Sequence, residues 1–221
     1  MGGRLTSVRY CTVCLLIFPD DAVFELDLDD KNIISLPNSF GILRSLNTLD
    51  VGENRLICIP DSICCLTWLS GLNVSDNRLT TLPDSIGNLK SLIDLDVSEN
   101  ILTCLPDSIG NLSSLEYLDV RCNKLVSLPD SIGYLTCLTM MYVDRNQLTH
   151  LPDSIGNLAS LSKLNVSNNK LTYLPDAIVN LISITLLDVS GNPITKTKKG
   201  KEDIIRRFGK EGLTIVVDSS R

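Results

Sequence analysis

The feature that most constrains the fold of this chain is its period. Asparagine and proline each recur seven times at a spacing of 23 residues. The asparagines are Asn54, Asn77, Asn100, Asn123, Asn146, Asn169 and Asn192, and the prolines are Pro37, Pro60, Pro83, Pro106, Pro129, Pro152 and Pro175. Self-similarity at a fixed period of about 20–50 residues indicates a repeat architecture, in which each unit contacts only its neighbours.

One full unit reads LDVSENILTCLPDSIGNLSSLEY, from Leu95 to Tyr117. Its recurring apolar residues are Leu95, Val97, Leu102, Leu105, Ile109, Leu112 and Leu115. The first two alternate with period two, which predicts a strand with one buried face. The last three are spaced by three, which predicts a short 3₁₀ or α turn. Because one unit cannot bury all these side chains alone, the units must stack into an α/β solenoid with a continuous core.

The repeated asparagine is best explained by structure rather than by chemistry. A tight turn follows each predicted strand, and its buried backbone groups need hydrogen-bond partners. A short amide offers both donors and an acceptor. Stacked copies are therefore expected to bridge neighbouring turns, whereas an active site would not require seven asparagines.

The consensus LxxLxVSxNxLTxLPDSIGNL resembles the leucine-rich repeat of the 23-residue, Ras-group type. It is similar to the animal Ras-suppressor and Ras–Raf scaffold proteins and to the plant intracellular Ras-group-related proteins. The match covers roughly Leu26 to Ile194. The resemblance implies a horseshoe with a parallel sheet on its concave side and short 3₁₀ or α turns on its convex side. It also implies a protein partner, such as a Ras-like GTPase or an associated phosphatase or kinase.

The ends of the chain depart from the repeat and divide it into three parts. Residues 1–25 are predicted to form an N-terminal cap segment, residues 26–194 the repeats, and residues 195–221 a C-terminal cap. In the C-terminal cap we expect a basic helix near Glu202–Phe208, with Ile204, Ile205 and Phe208 packed on the last repeat. A short strand or extended tail is expected at Leu213–Val217.

The N-terminal sequence MGGRLT fits the pattern for N-myristoylation at Gly2. Cys11 and Cys14 would then be candidates for palmitoylation, which supplies the second signal that stable anchoring needs. The alternative is an ordinary cap segment. The CTVC motif has no further ligands at metal spacing, so no zinc site is expected there. Most of the scattered cysteines are interpreted as free thiols, which favours a cytoplasmic location, with peripheral membrane attachment if Gly2 is lipidated.

Composition excludes several classes of function. The net charge of -6 argues against a nucleic-acid partner. His150 is the one histidine, and it falls at a loop position of the repeat, so a catalytic triad built on it is not expected. No phosphate-binding glycine loop occurs. We therefore predict a non-catalytic, monomeric protein without a cofactor or metal.

Function is expected on the concave face, where residues flanking the buried strand positions point outward. The residue between the two inward positions forms an acidic column: Asp27, Asp50, Asn73, Asp96, Asp119, Tyr142, Asn165 and Asp188. One patch on this face differs from the rest in residue type. It comprises Tyr117, Asp119, Arg121, Met140, Tyr142, Asp144 and Arg145.

Tyrosine and arginine are enriched in binding hot spots, and methionine adapts to irregular partners. The patch is therefore the predicted protein-binding site, with acidic residues steering basic groups of the partner. The alternative is drift of exposed positions after duplication, because tyrosine is tolerated on strands. A second alternative function is a membrane-tethered structural module, anchored by N-terminal lipid and the basic C-terminal tail.

Overall fold

The computed structural model describes residues 24–208 and 212–218 of the chain. Gly2, Cys11 and Cys14 lie outside these residues. Nine parallel strands form one sheet, in the order of the sequence. They are β1 (Glu25–Asp27), β2 (Thr48–Asp50), β3 (Gly71–Asn73), β4 (Asp94–Asp96), β5 (Tyr117–Asp119), β6 (Met140–Tyr142), β7 (Lys163–Asn165), β8 (Leu186–Asp188) and β9 (Thr214–Val216).

A row of 3₁₀ helices runs along the solenoid beside the sheet. The first seven each begin directly after one of the periodic prolines, whose backbone is extended. The row comprises Asn38–Ile42, Asp61–Cys65, Asp84–Asn88, Asp107–Asn111, Asp130–Tyr134, Asp153–Asn157, Asp176–Asn180 and Pro193–Lys196. This confirms the predicted α/β solenoid with a parallel sheet, and of the two alternatives for the turns, 3₁₀ or α, the repeats adopt 3₁₀.

The core lies between the sheet and the 3₁₀ row and is continuous from end to end. Leu95, Val97, Leu102, Ile109, Leu112 and Leu115 are completely buried, and Leu105 nearly so. Register is exact from β1 to β8, since each strand residue pairs with its counterpart 23 residues later, such as Leu95 with Leu118. The sheet therefore presents its solvent-facing side chains in straight columns.

The asparagine ladder takes the form expected from the sequence. The Asn123 amide nitrogen donates to the carbonyl of Val120 at 3.2 Å and to that of Val97, in the preceding repeat, at 3.0 Å. Its Oδ1 accepts the backbone N–H of Leu102 at 2.9 Å. The other six ladder asparagines make equivalent bonds, from Asn54 to Asn192.

Glycine is required where successive 3₁₀ helices approach each other. A Cβ added to Gly110 would lie 2.3 Å from the carbonyl oxygen of Ser131 in the next repeat, which is far inside van der Waals contact. Gly87, Gly133 and Gly156 have the same close approach. The glycine of DSIGNL thus sets the packing distance between repeats.

The C-terminal cap contains helix α1 (Lys198–Arg207), which begins earlier than predicted because Thr197 caps it by accepting the N–H of Gly200. Ile204 and Phe208 are buried against the solenoid as expected. The prediction for Ile205 is wrong, because its side chain is 56% exposed on the opposite face of the helix. The predicted C-terminal strand is β9, which pairs in parallel with β8.

Polar contacts attach this cap to the last repeats. Arg207 donates to the carbonyl oxygen of Leu174 and pairs with Asp176, both in the seventh repeat. Asp218 accepts the hydroxyl of Thr195 and the N–H of Gly191, each at 2.7 Å. These two hydrogen bonds hold the pKa of the Asp218 carboxyl below its ordinary value. The cap thereby satisfies backbone groups that a further repeat would otherwise have paired.

The six cysteines within the described residues are all free thiols, in keeping with the interpretation of the sequence. Cys64 is buried, and burial raises the pKa of its thiol. Among the described residues, no helix is both long enough and apolar enough to cross a membrane.

We predict that Asn123→Ala lowers the free energy of unfolding by at least about 2 kcal/mol, because a buried group left without its partner costs about 1–3 kcal/mol. Urea denaturation measures the change. The matched control is Asn157→Ala, at an exposed asparagine that ends a 3₁₀ helix, and it should change stability by less than about 0.5 kcal/mol. Equal effects of the two substitutions would contradict the ladder's role.

Candidate protein-binding surface

In all but one of strands β1–β8, the residue that follows the central buried side chain has a structural task that sequence reasoning missed. In seven of the eight repeats its side-chain oxygen accepts the backbone N–H two residues later, at 2.9–3.1 Å. The seven residues are Asp27, Asp50, Asn73, Asp96, Asp119, Asn165 and Asp188. Such Asx turns explain why only aspartate and asparagine occur there, and this restriction was the signal available in the sequence.

Tyr142 is the exception in this column. Its side chain cannot accept the N–H of Asp144 in this way, and the Oδ1 atom of Asp144 is buried without a hydrogen-bond partner among the described residues. Burial raises the pKa of the Asp144 carboxyl. The sixth repeat therefore lacks the Asx-turn hydrogen bond that the other repeats have, and it carries an aromatic side chain on the sheet face instead.

Tyr142 packs against a second aromatic ring from the neighbouring strand. The ring centroids of Tyr117 and Tyr142 are 5.6 Å apart, with their planes inclined at 48°. Met140 pairs in register with Tyr117, and its sulfur lies 3.9 Å from the Tyr142 hydroxyl. Such tilted aromatic pairs are stabilising beyond the area they bury. Together with Arg121, these three side chains form what we call the aromatic patch.

Asp119 lies beneath the aromatic patch rather than on its surface. It is 0% exposed, whereas the matching carboxylates of Asp50, Asp96 and Asp188, which lack a tyrosine pair above them, are half-buried. Its Oδ2 receives the Tyr117 hydroxyl and the Arg121 Nε, both at 3.2 Å. Burial raises the pKa of Asp119 to about 6. Asp119 therefore holds Tyr117 and Arg121 in place from below.

The structure brings the seven predicted site residues together but does not expose all of them. Tyr117, Met140 and Tyr142 are half-buried and Arg121 and Arg145 are exposed, as expected for a surface. The expectation of outward-facing side chains is wrong for Asp119 and for Asp144, which is 8% exposed. Asp119 lies beneath Tyr117 and Arg121, whereas the position of Asp144 is also buried where the repeat carries serine, at Ser98 and Ser167.

Arg145 belongs to a turn and not to the strand. Its φ of 54° is left-handed, as is that of Cys122 at 53° in the preceding repeat. Other repeats place Asp30, Glu53, Asp76, Glu99, Asn168 or Gly191 at this position. Arg145 thus extends the patch toward the edge of the sheet at a strained backbone position.

His150 is exposed, and its Nδ1 lies 3.1 Å from the hydroxyl of Thr149. Within residues 24–208 and 212–218, no three histidine, cysteine or acidic side chains are grouped so as to hold a metal ion. The chemical character of the surface is therefore that of the aromatic patch and the charges around it.

We predict that Tyr142→Asn is more stable to unfolding than Tyr142→Ala by about 1 kcal/mol, the typical net value of one hydrogen bond. Both variants lose the ring, but only asparagine restores the Asx turn to the N–H of Asp144. Urea denaturation of the pair isolates this bond. As a matched comparison, Asn165→Ala in the next repeat should cost a similar amount. Equal stability of the two Tyr142 variants would contradict the missing turn.

A family profile described as a leucine-rich repeat region matches residues 25–100 and 95–187 of the chain. No curated protein sequence matches it significantly. A leucine-rich repeat protein of Leptospira interrogans is 30% identical, with a TM-score of 0.67, over 87% of this chain and 54% of its own. An internalin, InlF, from Listeria monocytogenes is 24% identical, with a TM-score of 0.74, over 90% of this chain and 55% of its own.

The ectodomain of the Arabidopsis thaliana receptor kinase GASSHO1/SCHENGEN3, in complex with CASPARIAN STRIP INTEGRITY FACTOR 2, is 25% identical. Its TM-score is 0.69, and the match covers 77% of this chain and 24% of the receptor chain. The chain thus spans about half the length of the two bacterial proteins and about a quarter of the plant ectodomain. The family profile, the order of the strands and the asparagine ladder lead to the same conclusion, which is that this chain belongs to the leucine-rich repeat family.

Proposed function

We propose that this protein is a non-catalytic scaffold that binds another protein on the solvent-facing side of its sheet, the concave face of the solenoid. The observation that carries the proposal is the aromatic patch. Tyr117 and Tyr142 are the only aromatic residues in strands β1–β9, and they lie in contact on adjacent strands. Tyr142 occupies its place at the expense of a backbone hydrogen bond, which drift alone does not favour.

The rigidity of the scaffold supports binding at this patch. Arg121 is fixed by the buried Asp119, and the strands beneath are fixed by the asparagine ladder. Side chains that are already ordered lose little conformational entropy when a partner binds. Half-buried tyrosines with a polar tip also supply large contact area at low entropic cost. The patch thus has the composition and the order that binding hot spots share.

The finer proposal is that the partner is a Ras-like GTPase or a phosphatase or kinase associated with one, which would place the protein in signalling. The support is the resemblance of the repeat consensus to the Ras-group leucine-rich repeats. The plant receptor ectodomain is similar in fold and is known in complex with a protein factor, which supports the general role of such a surface. The proposed location is the cytoplasm.

A second candidate is a membrane-tethered interaction module. It is favoured by the exposed lysines that surround the start of α1, Lys196, Lys198 and Lys199, since such residues attract anionic lipid. Lipidation of Gly2 would add the anchor. Mass spectrometry of the native N-terminus distinguishes the candidates, because an unmodified terminus in a protein confined to the soluble fraction rules out the tether.

We expect that Tyr117→Ala/Tyr142→Ala removes specific partners in quantitative affinity capture from the source cells. The matched control is Tyr134→Ala/Tyr173→Ala, which removes two tyrosines that are 69% and 54% exposed outside the sheet. A photo-crosslinking residue at position 142 should capture the same partner, and one at position 134 should not. Circular dichroism melting verifies that each variant is folded.

Loss of the same partners from both double variants, or from neither, would contradict a binding site at the aromatic patch. The identity of the captured proteins tests the finer proposal separately. If the lost partners include no small GTPase, phosphatase or kinase, the signalling role fails while the binding surface stands.

A further inference from the structure

One edge of the Arg121 guanidinium is bound to a carboxylate, and the N–H groups of the other edge have no partner within the described residues. Its Nε pairs with Asp119 Oδ2 at 3.2 Å. Within the part of the chain that the structure describes, its two terminal amino groups have neither a hydrogen bond nor an ion pair. The side chain is 45% exposed. Four charged N–H donors of a partly exposed side chain are therefore unpaired within the described residues.

This arrangement matches the requirements of carboxylate binding. The two terminal amino groups of a guanidinium donate a pair of parallel hydrogen bonds to the two oxygens of a carboxylate. Asp119 fixes the orientation of the guanidinium, and Asp119 itself is fixed by the Tyr117 hydroxyl and by the N–H of Arg121 at 3.0 Å. An arginine that is oriented before binding loses less entropy on binding.

The charges on the rest of the sheet face favour an acidic group at this place and disfavour it elsewhere. At the strand and turn positions of the first four repeats ten charged residues are acidic and one, Lys31, is basic; the acidic ones are Glu25, Asp27, Asp29, Asp30, Asp50, Glu53, Asp76, Asp94, Asp96 and Glu99. At the same positions of the later repeats three cations, Arg121, Arg145 and Lys163, balance three aspartates, Asp119, Asp144 and Asp188. The face is therefore polarised along the solenoid axis, even though arginines such as Arg78 flank it.

We propose that Arg121 forms a carboxylate site for the partner, and that the partner's cationic residues lie over strands β1–β4. The inference rests on the proposed function and adds the chemistry and the direction of the bound segment. Neighbouring strands are about 4.8 Å apart and an extended chain rises about 3.3 Å per residue. The cations are thus expected about two to six residues from the carboxylate, on one side of it.

The test is affinity selection with a synthetic random decapeptide library, read by mass spectrometry. One copy of the library has free C-terminal carboxylates and the other is amidated. The wild-type protein should enrich peptides with a carboxylate and with lysine or arginine on one side of it. Peptides that are enriched only as free acids identify a C-terminal carboxylate, and peptides enriched in both forms identify an aspartate or glutamate side chain.

Dissociation constants of the enriched peptides then test Arg121 directly. Arg121→Gln should weaken binding about tenfold or more, as expected for loss of charge-assisted hydrogen bonds. Arg121→Lys keeps the charge but not the paired donors, so it should recover only part of the affinity. The matched control is Arg78→Gln, an equal change of charge beside the same face, which should alter binding less than about twofold. Melting curves verify that all variants are folded.

The outcomes separate this inference from the proposed function. The carboxylate site is wrong if peptides that depend on Tyr117 and Tyr142 contain no carboxylate. It is also wrong if the enriched peptides bind Arg121→Gln as tightly as they bind wild type. In both cases the proposed binding surface still stands. Failure to enrich any peptide that depends on the tyrosine pair counts against the proposed function itself.

Discussion

The hydrogen bonds of the ladder asparagines are the interaction on which the rest of this structure depends. Each amide joins carbonyl and N–H groups of two successive turns, for example through Asn123 to Val97 and Leu102 of the preceding repeat. An irregular turn can be buried only because these groups are paired. These turns directly follow the strands and hold successive repeats together, so strands β1–β8 keep exact register and their outward side chains stand in columns.

A surface with this regularity makes local departures informative. The column of Asx turns is interrupted once, at Tyr142, and the interruption coincides with the aromatic pair, with the fully buried Asp119 and with the unpaired oxygen of Asp144. These features lie together within two neighbouring repeats, where bulky side chains stand above a rigid sheet. Functional sites commonly retain such locally unfavourable features because the surrounding structure is stable enough to hold them.

The same rigidity determines how a partner would be recognised. Arg121 does not need to be ordered on binding, because Asp119 and Tyr117 already hold it. The acidic first half of the face and the cations of the second half lie at fixed separations along the solenoid. A partner segment is therefore distinguished by the order of its charges as well as by their number, and electrostatic complementarity of this kind contributes more to specificity and orientation than to total affinity.

The sequence alone determined the solenoid, the strands, the short helical turns and the ladder, because each depends on a pattern that repeats every 23 residues and on contacts with similar neighbours. It also located the unusual patch at Tyr117 and Tyr142. Only the tertiary structure decided that Asp119 is fully covered and that Ile205 faces outward. Those properties depend on which side chains from adjacent repeats pack above one another, and no periodic pattern within a single repeat specifies them.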